Sequence, residues 1–498
     1  MGSPGFRMFA IAIGVVCLCS QASYAELFVG TATVDITPEL PVALDGQFHL
    51  RIAKTIETPL EADVIVLQSR RDGRPQDSAV MVSCDLVYIT KEVLGLVRGK
   101  VRQRIGDLDT SRIVLSGTHT HTAPVTVRDK YPIPKKGVTQ VEEYCDFLAD
   151  RVAEGIVEAW KRLAPGSVSW GLGHAVVGYN RRAAYADGHA QMYGRTNVAE
   201  FRNLEGYEDH DVDQLFFWDS KGRLTGLAVS IACPTQEVES RSAVNADFWH
   251  PTREALRKRF GPDLCVVSWV GAAGDQSPHL MYRRAADDRM RELRGLTRVE
   301  EIARRIVRAV EETYEVVQKD RHLDVPLIHK VETLRLPMRL VTEAEYAETK
   351  AICDRLKAQI ADDPKARDRL LRRLRWYEET VERFKRQESD PHLSYEMELH
   401  VLRLGDVAIC TNPFELFTDY GIRIKARSPA VQTFVVQLVG PGTYLPTEKA
   451  VRGGGYSAVV HSSLVGPEGG QVLVDRTVEL IKELWQPLDH APKVQGKK

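Results

Sequence analysis

Two imidazoles stand one residue apart in "LSGTHTHTAP" (Leu115 to Pro124), directly behind the apolar run "RIVL". In extended backbone, residues two apart point to the same side, so His119 and His121 would present both rings to one space. Such a pair suits a metal or a proton-transfer site. A surface loop that carries two histidines is the plain alternative. Further side chains of the same chemical kinds stand behind other apolar runs. Asp85 follows "VMVSC", Asp275 and Ser277 follow "VVSWVGAAG", Glu415 follows "VAICTNPF", and Tyr444 follows "VVQLVGPGT". In open α/β sheets, ligands bind beyond the carboxyl ends of strands. One such residue means little; five strand ends carrying them point to a shared site.

The elements that would position these residues are legible as short β-branched runs alternating with helical patterns. "SAVMVSC", "RIVLSG", "GLAVSIAC", "LCVVSWVG", "DVAIC" and "TFVVQLVG" read as buried strands. "KEVLGLVRGKVRQRIGDL" has apolar residues at 94, 97, 101 and 105, one helical face, and "CDFLADRVAEGIVEAWKRLA" and "TRVEEIARRIVRAVEETYEVVQ" read likewise. The expected fold class is α/β, a mixed sheet flanked by helices. Residues 342–387 stand apart as a charged helical hairpin. Thr342 and Glu345 have capping-box spacing, and "ADDP" supplies the turn, with Asp363 as N-cap and Pro364 at the first helical position. This hairpin is expected to be structural rather than catalytic.

Residues 1–25 read as a signal peptide. Arg7 precedes the apolar "MFAIAIGVVCLC", and small residues at Ser23 and Ala25 mark a cleavage site before Glu26. The run is short for a membrane span, and no later segment is long and apolar enough to be one. A secreted or periplasmic protein is the expectation, with residues 26–498 as its catalytic domain. Lys plus Arg number 67 against 68 for Asp plus Glu, so no net field favours nucleic acid. Cys84, Cys145, Cys233, Cys265, Cys353 and Cys410 form no CxxC and no dense framework, which predicts buried thiols.

Each motif has a plain reading beside the chemical one. "GAAGDQSPH" is a tight turn with a capping Asp275, or a loop presenting Ser277; it lacks the GxSxG pattern and a phosphate-loop Lys. "NPFELFTDYGIRIK" puts Glu415 at a helix start, where the helix dipole alone favours a carboxylate.

In order along the chain, "VGTATVDITP", "VSCDLVYIT", "SGTHTHTAP", "GYNRR", "GAAGDQSP", "NPFELFTDYG" and "TYLPTEKA" resemble the catalytic domain of the neutral (non-lysosomal) ceramidase family. The resemblance implies a Zn2+ amidase that cleaves the N-acyl bond of a lipid-like small molecule. It implies His119, Glu415 and Tyr444 as metal ligands, with His121 beside them in the site. Ser277 matches the nucleophile proposed for the family, next to Asp275. Asn180, Arg181 and Tyr456 fall at substrate-binding positions. Two departures stand out. The family's second zinc histidine is replaced by Cys233 in "IACPTQE", so Cys233 is expected to take that ligand position, with His250 in "NADFWHPTREALRKRF" as substitute. The family's C-terminal immunoglobulin-like domain is expected to be missing. The alternatives are a metal hydrolase of another N-acyl or ester substrate, or a non-catalytic homologue that binds lipid or glycan.

Overall fold

The computed structural model describes residues 25–363 and 367–486 of the chain. The signal peptide expected over residues 1–25, all but its last residue, and the expected helix-starting role of Pro364 lie outside the described residues. The fold is mixed α/β, as expected. Its larger sheet has eight strands in the order Cys265–Val270, Leu224–Ile231, Asp211–Asp219, Ala164–His174, Glu26–Asp35, Glu61–Arg71, Arg74–Cys84 and Ile113–Gly117. The two outermost pairs are parallel and all inner pairs antiparallel. A four-stranded sheet follows, ordered Leu327–Pro337, Ser394–Leu404, Val407–Thr411 and Gln432–Val436, its last pair again parallel.

The sequence patterns explain these elements. The all-buried strand Ile113–Gly117 has no polar alternation because both of its faces are covered. The Lys91–Arg104 helix is N-capped by Thr90, whose hydroxyl accepts from the Val93 N–H at 3.0 Å. Val97, Val101 and Ile105 are buried as their spacing predicts, with Val93 rather than Leu94 completing the face. The hairpin is present as helices Glu343–Asp362 and Arg367–Ser389, with the Thr342/Glu345 capping box formed. All six cysteines of the described chain are free and buried.

One core cluster lies between the larger sheet and the helices Lys91–Arg104 and Val141–Lys161. Another joins the inner faces of the two sheets, with Ile65, Met81, Val267 and Trp269 meeting Leu402, Ile409 and Phe434. This packing brings the strand ends of both sheets to one side. Asp85, the first strand-end residue, serves the framework: with Asp63 it surrounds the buried Arg253, at 2.6 Å from Asp85 and 3.2 Å from Asp63. Two carboxylates around one guanidinium keep a buried cation paired, and they tie the Trp249–Phe260 helix to the sheet.

Candidate active site

The "THTH" segment is not extended as the sequence pattern predicts, because it lies past the strand end and His119 breaks it with a left-handed backbone, yet its side chains still separate into two sets. Thr118 bonds Asp85 at 3.2 Å, while Thr120 and Thr122 donate to the Asn245 carbonyl at 2.9 and 2.6 Å. With the threonines fixed to the framework, both imidazoles turn the other way and line one cavity of about 710 Å³. His119 takes a left-handed backbone conformation, φ 70°, uncommon for a residue with a Cβ and found where a site over-determines its geometry. Its Nδ1 lies 2.8 Å from the Val87 carbonyl, which fixes the ring and directs Nε2 inward. Gly46, at φ 95°, lies flat on His121; a Cβ there would overlap the imidazole.

Glu415 and Tyr444 reach the same cavity from the smaller sheet. Beyond that sheet the chain forms a two-residue parallel pair, Glu415–Leu416 with Tyr444–Leu445, in which Glu415 and Tyr444 are direct partners. Glu415 therefore precedes the Thr418–Arg427 helix instead of starting it. The distances are short. His119 Nε2 is 3.2 Å from His121 Nε2 and 3.6 Å from Glu415 Oε2. Behind them Arg181, 2 % exposed, reaches Tyr444 Oη at 3.3 Å and Glu415 Oε2 at 3.7 Å. Burial alone would raise the Glu415 pKa, but hydrogen bonding from His119 and the charges of His119 and Arg181 hold it below the ordinary value. Burial, followed by the Glu415 charge, pushes the Tyr444 phenol well up.

Two residues that the sequence reading missed complete this floor. Glu239 Oε2 lies 3.1 Å from His121 Nδ1, and Gln236 Nε2 lies 2.9 Å from His121 Nε2. Gln236 also accepts from Arg181 at 3.1 Å. Both follow the Leu224–Ile231 strand, so the same strand-end signal that marked Glu415 would have found them. Burial drives the His121 pKa down, and the Glu239 carboxylate opposes that shift.

Cys233 and His250 are not brought to His119, which corrects the expected replacement of the second histidine. Cys233 is fully buried; its thiol donates to the Val177 carbonyl at 3.4 Å and packs among Ile231, Phe248 and Trp249. Burial and the charges of Asp247 and Glu237 raise its pKa far above the ordinary thiol value, so the thiol stays protonated. The turn after the strand directs Gln236, not Cys233, toward the imidazoles. His250 sits in the first turn of the Trp249–Phe260 helix, near Glu61. Ser277 and Asp275 do not line the cavity either. Ser277 is fully buried, paired with Tyr179 across a short strand bridge, and its Oγ accepts from the His279 N–H at 3.2 Å. Asp275 receives hydrogen bonds from Asn180 at 3.0 Å and from the Thr418 hydroxyl at 2.8 Å. Asn180 and Asp275 thus brace the loop whose next residue is Arg181. Tyr456 does line the cavity, its ring 5.7 Å from that of Tyr444.

The helical hairpin, expected to be structural, forms a wall of this cavity. Arg372, Arg375, Trp376, Glu379, Thr380 and Arg383 face it from the second helix. Trp376 packs edge-on to Phe48 at 5.4 Å and against Tyr456 at 5.7 Å, so an aromatic chain joins wall to floor.

As for a metal, among the described residues no group of three or more His, Cys, Asp and Glu side chains is disposed to hold one. The floor offers His119, His121 and Glu415 with a phenol, Tyr444. Of the expected ligands, His119 Nε2 and Glu415 Oε2 stand 3.6 Å apart, near the edge of about 3.3 Å for tetrahedral ligands at 2.0–2.1 Å. The donor chemistry fits zinc, with one imidazole fewer than the resemblance implied from the Cys233 position.

No protein-family model matches the chain. Neutral ceramidase 1 of Arabidopsis thaliana is 28% identical over 163 residues, 32% of this chain and 20% of that protein. Neutral ceramidase of Oryza sativa subsp. japonica is 26% identical over 38% of this chain and 24% of its own length. The matched region thus spans under a quarter of these relatives. In three dimensions the likeness extends much further. A crystal structure of neutral ceramidase from Pseudomonas aeruginosa aligns with a TM-score of 0.67 at 17% identity, covering 92% of this chain and 75% of that one. The chain is similar to the neutral ceramidases in fold. A ceramidase complexed with C2 aligns similarly, with a TM-score of 0.64 at 16% identity over 92% of this chain and 76% of its own. The neutral ceramidase fold is therefore shared across nearly the whole chain, while sequence likeness is confined to about a third of it. Among the described residues no helix is long and apolar enough to cross a membrane.

Proposed function

We propose that the chain is a zinc-dependent amide hydrolase that cleaves an N-acyl bond on the floor of the His119 cavity. The observation that supports this most is the meeting of His119, His121, Glu415 and Tyr444 in one cavity, although they come from two sheets. His119, Glu415 and Tyr444 would hold the metal. Zinc, when bound, polarises an acyl carbonyl and acidifies water. His121, oriented by Glu239, takes a proton from the attacking water and delivers it to the departing amine nitrogen. The acyl carbon gains the water oxygen as its bond to nitrogen breaks, so the products are a carboxylate and an amine. Arg181 keeps Glu415 ionised and holds the Tyr444 phenol in place. The substrate is a small N-acyl compound, ceramide-like in having an acyl chain on nitrogen. Export by a signal peptide cleaved before Glu26 belongs to the same proposal.

Purified protein should contain about one zinc per chain and release fatty acid from a fluorescent N-acyl substrate. Chelation should abolish release, and added zinc should restore it. Turnover that survives full metal removal would overturn the zinc assignment, and no turnover with zinc bound would overturn the hydrolase. The secreted form should begin at Glu26, read by mass spectrometry of its N-terminus.

A further inference from the structure

The wall of the cavity carries charge that hydrolysis at the floor does not use. Arg372, Arg375, Glu379 and Arg383 lie on one face of the Arg367–Ser389 helix and line the cavity, three guanidiniums to one carboxylate. Other cations of the cavity are already satisfied: Lys130 lies 2.5 Å from Asp45, and Arg128 lies 3.0 and 3.2 Å from Glu92 and Glu142. Arg372 and Arg375 differ. Among the described residues neither has a hydrogen-bond partner or a carboxylate at ion-pair distance. The Arg372 guanidinium lies 5.7 Å from the centre of the Phe48 ring. Arg383 is 2 % exposed; it donates to the Val460 and Ser463 carbonyls at 2.7 and 3.0 Å, and its Nε has no partner. Burial and the neighbouring Arg339 push its pKa down to about 10, the direction expected of a cation short of counter-charge. On the floor Glu415 belongs to His119 and Arg181, and Glu239 to His121; Glu379 and Asp45 attract Arg372 from beyond ion-pair distance, Glu345 and Glu379 act likewise on Arg383, and Asp129 lines the cavity without an ion pair to either Arg372 or Arg375.

We propose that the substrate carries an oxyanion, a carboxylate or phosphate on the amine half, which Arg372 and Arg375 bind while the amide lies on the floor. Planar guanidiniums with unused donors suit both groups, since each can accept two parallel hydrogen bonds. Arg383 adds field from behind without reaching out. The position of the amide rests on the hydrolase reading above; the preference for an anion does not, because it follows from the wall alone.

The test uses matched pairs below their micelle concentrations: N-lauroylglycine against N-lauroylglycinamide, and N-lauroylphosphoethanolamine against N-lauroylethanolamine. Binding to the full chain is measured by calorimetry, with laurate release followed in parallel. The anionic member of at least one pair should bind about 10-fold tighter, and the pair with the larger preference identifies the anion. That preference should shrink as salt rises and fall below about threefold in R372Q/R375Q. Both substituted side chains are partly exposed, so a retained melting temperature is expected, and R375Q alone serves if the double variant melts early. Equal binding within both pairs, tighter binding of the neutral members, no binding at all, or a preference untouched by the substitutions overturns the proposal. Preference without laurate release removes the hydrolase and leaves the anion site. Release without preference does the reverse.

Discussion

The floor and the wall of the cavity are built in different ways. Every floor residue is held by several partners: the threonines around His119 are tied to Asp85 and Asn245, its ring to Val87, and Glu415 to Tyr444 by strand register. The wall is a surface helix whose packing is thin. The two helices of its hairpin meet through one small cluster, Cys353, Leu356 and Leu374, and a second, Val341, Phe384 and Val460, joins the hairpin to the body, both apart from the main core. Fixed geometry suits bond-breaking, where a small displacement is costly. Loosely packed, charge-rich surfaces suit recognition, which tolerates adjustment. The difference argues that one shared fold keeps its chemistry in the floor and sets its substrate in the wall.

The largest effect should follow from breaking the floor. His119→Ala should lower kcat by about 1,000-fold or more and abolish zinc retention, because one of few ligands is lost. Metal analysis and kinetics check it, and full zinc occupancy in that variant would reassign His119. Substitution in the wall should act differently. Trp376→Ala removes ring contacts with Phe48 and Tyr456, each worth about 0.5–1.5 kcal/mol. It should raise KM by about 10-fold with kcat nearly unchanged. A fall in kcat as large as that of His119→Ala would erase the contrast between the two regions.

Ser277 sharpens the comparison at its boundary. A nucleophile should lose about 100-fold or more in kcat when its hydroxyl is removed. Its Oγ accepts from the His279 N–H, and it does not line the cavity. We therefore expect Ser277→Ala to cost less than about 10-fold in kcat and about 1 kcal/mol of stability from the lost acceptor. Burst kinetics with an acylated Ser277 would return it to the catalytic group.

The sequence made the floor legible for a definite reason. His119, His121, Glu415 and Tyr444 follow apolar runs that had to be buried strands, and strand ends in such sheets converge. Gln236 and Glu239 obey the same rule, but they stand beyond Cys233, whose place in the motif drew attention to a thiol that points into the core. The direction a side chain takes after a strand depends on the turn, and a single sequence does not determine that turn. The strands Glu26–Asp35, Glu61–Arg71, Ala164–His174 and Asp211–Asp219 are not among the runs that read as strands, and neither are Leu327–Pro337 and Ser394–Leu404. The charged alternation of the last two, as in "HKVETLRL", shows only one buried face and resembles surface chain. The periodicity of the hairpin predicts two helices, yet nothing in it says which body surface they cover. That is a tertiary fact carried by Trp376, Phe48 and Tyr456 together.

The smallest expected effect concerns how the wall is attached, and it turns on His461. This imidazole contacts the hairpin through Thr380 at 3.1 Å and through ring contacts with Trp376 and Tyr377 at 5.3 and 4.8 Å. Burial, then the positive charges of Arg383 and Arg339, lowers its pKa from 6.5 to about 4, with Glu345 partly opposing them. A histidine whose folded pKa is depressed binds fewer protons when docked than when released. Its contribution is therefore fully present above about 6.5 and is lost as pH falls toward about 4. Between pH 7 and pH 5 the hairpin should loosen more than the floor, where the depressed His121 pKa acts with the same sign but the Glu239 carboxylate opposes it. Hydrogen exchange of residues 367–389 against 113–117 would read this directly. His461→Phe, which keeps a ring against Trp376 and removes the titration, should flatten the response. Equal loosening of both segments, or an unchanged response in His461→Phe, would show that wall and floor open as one unit.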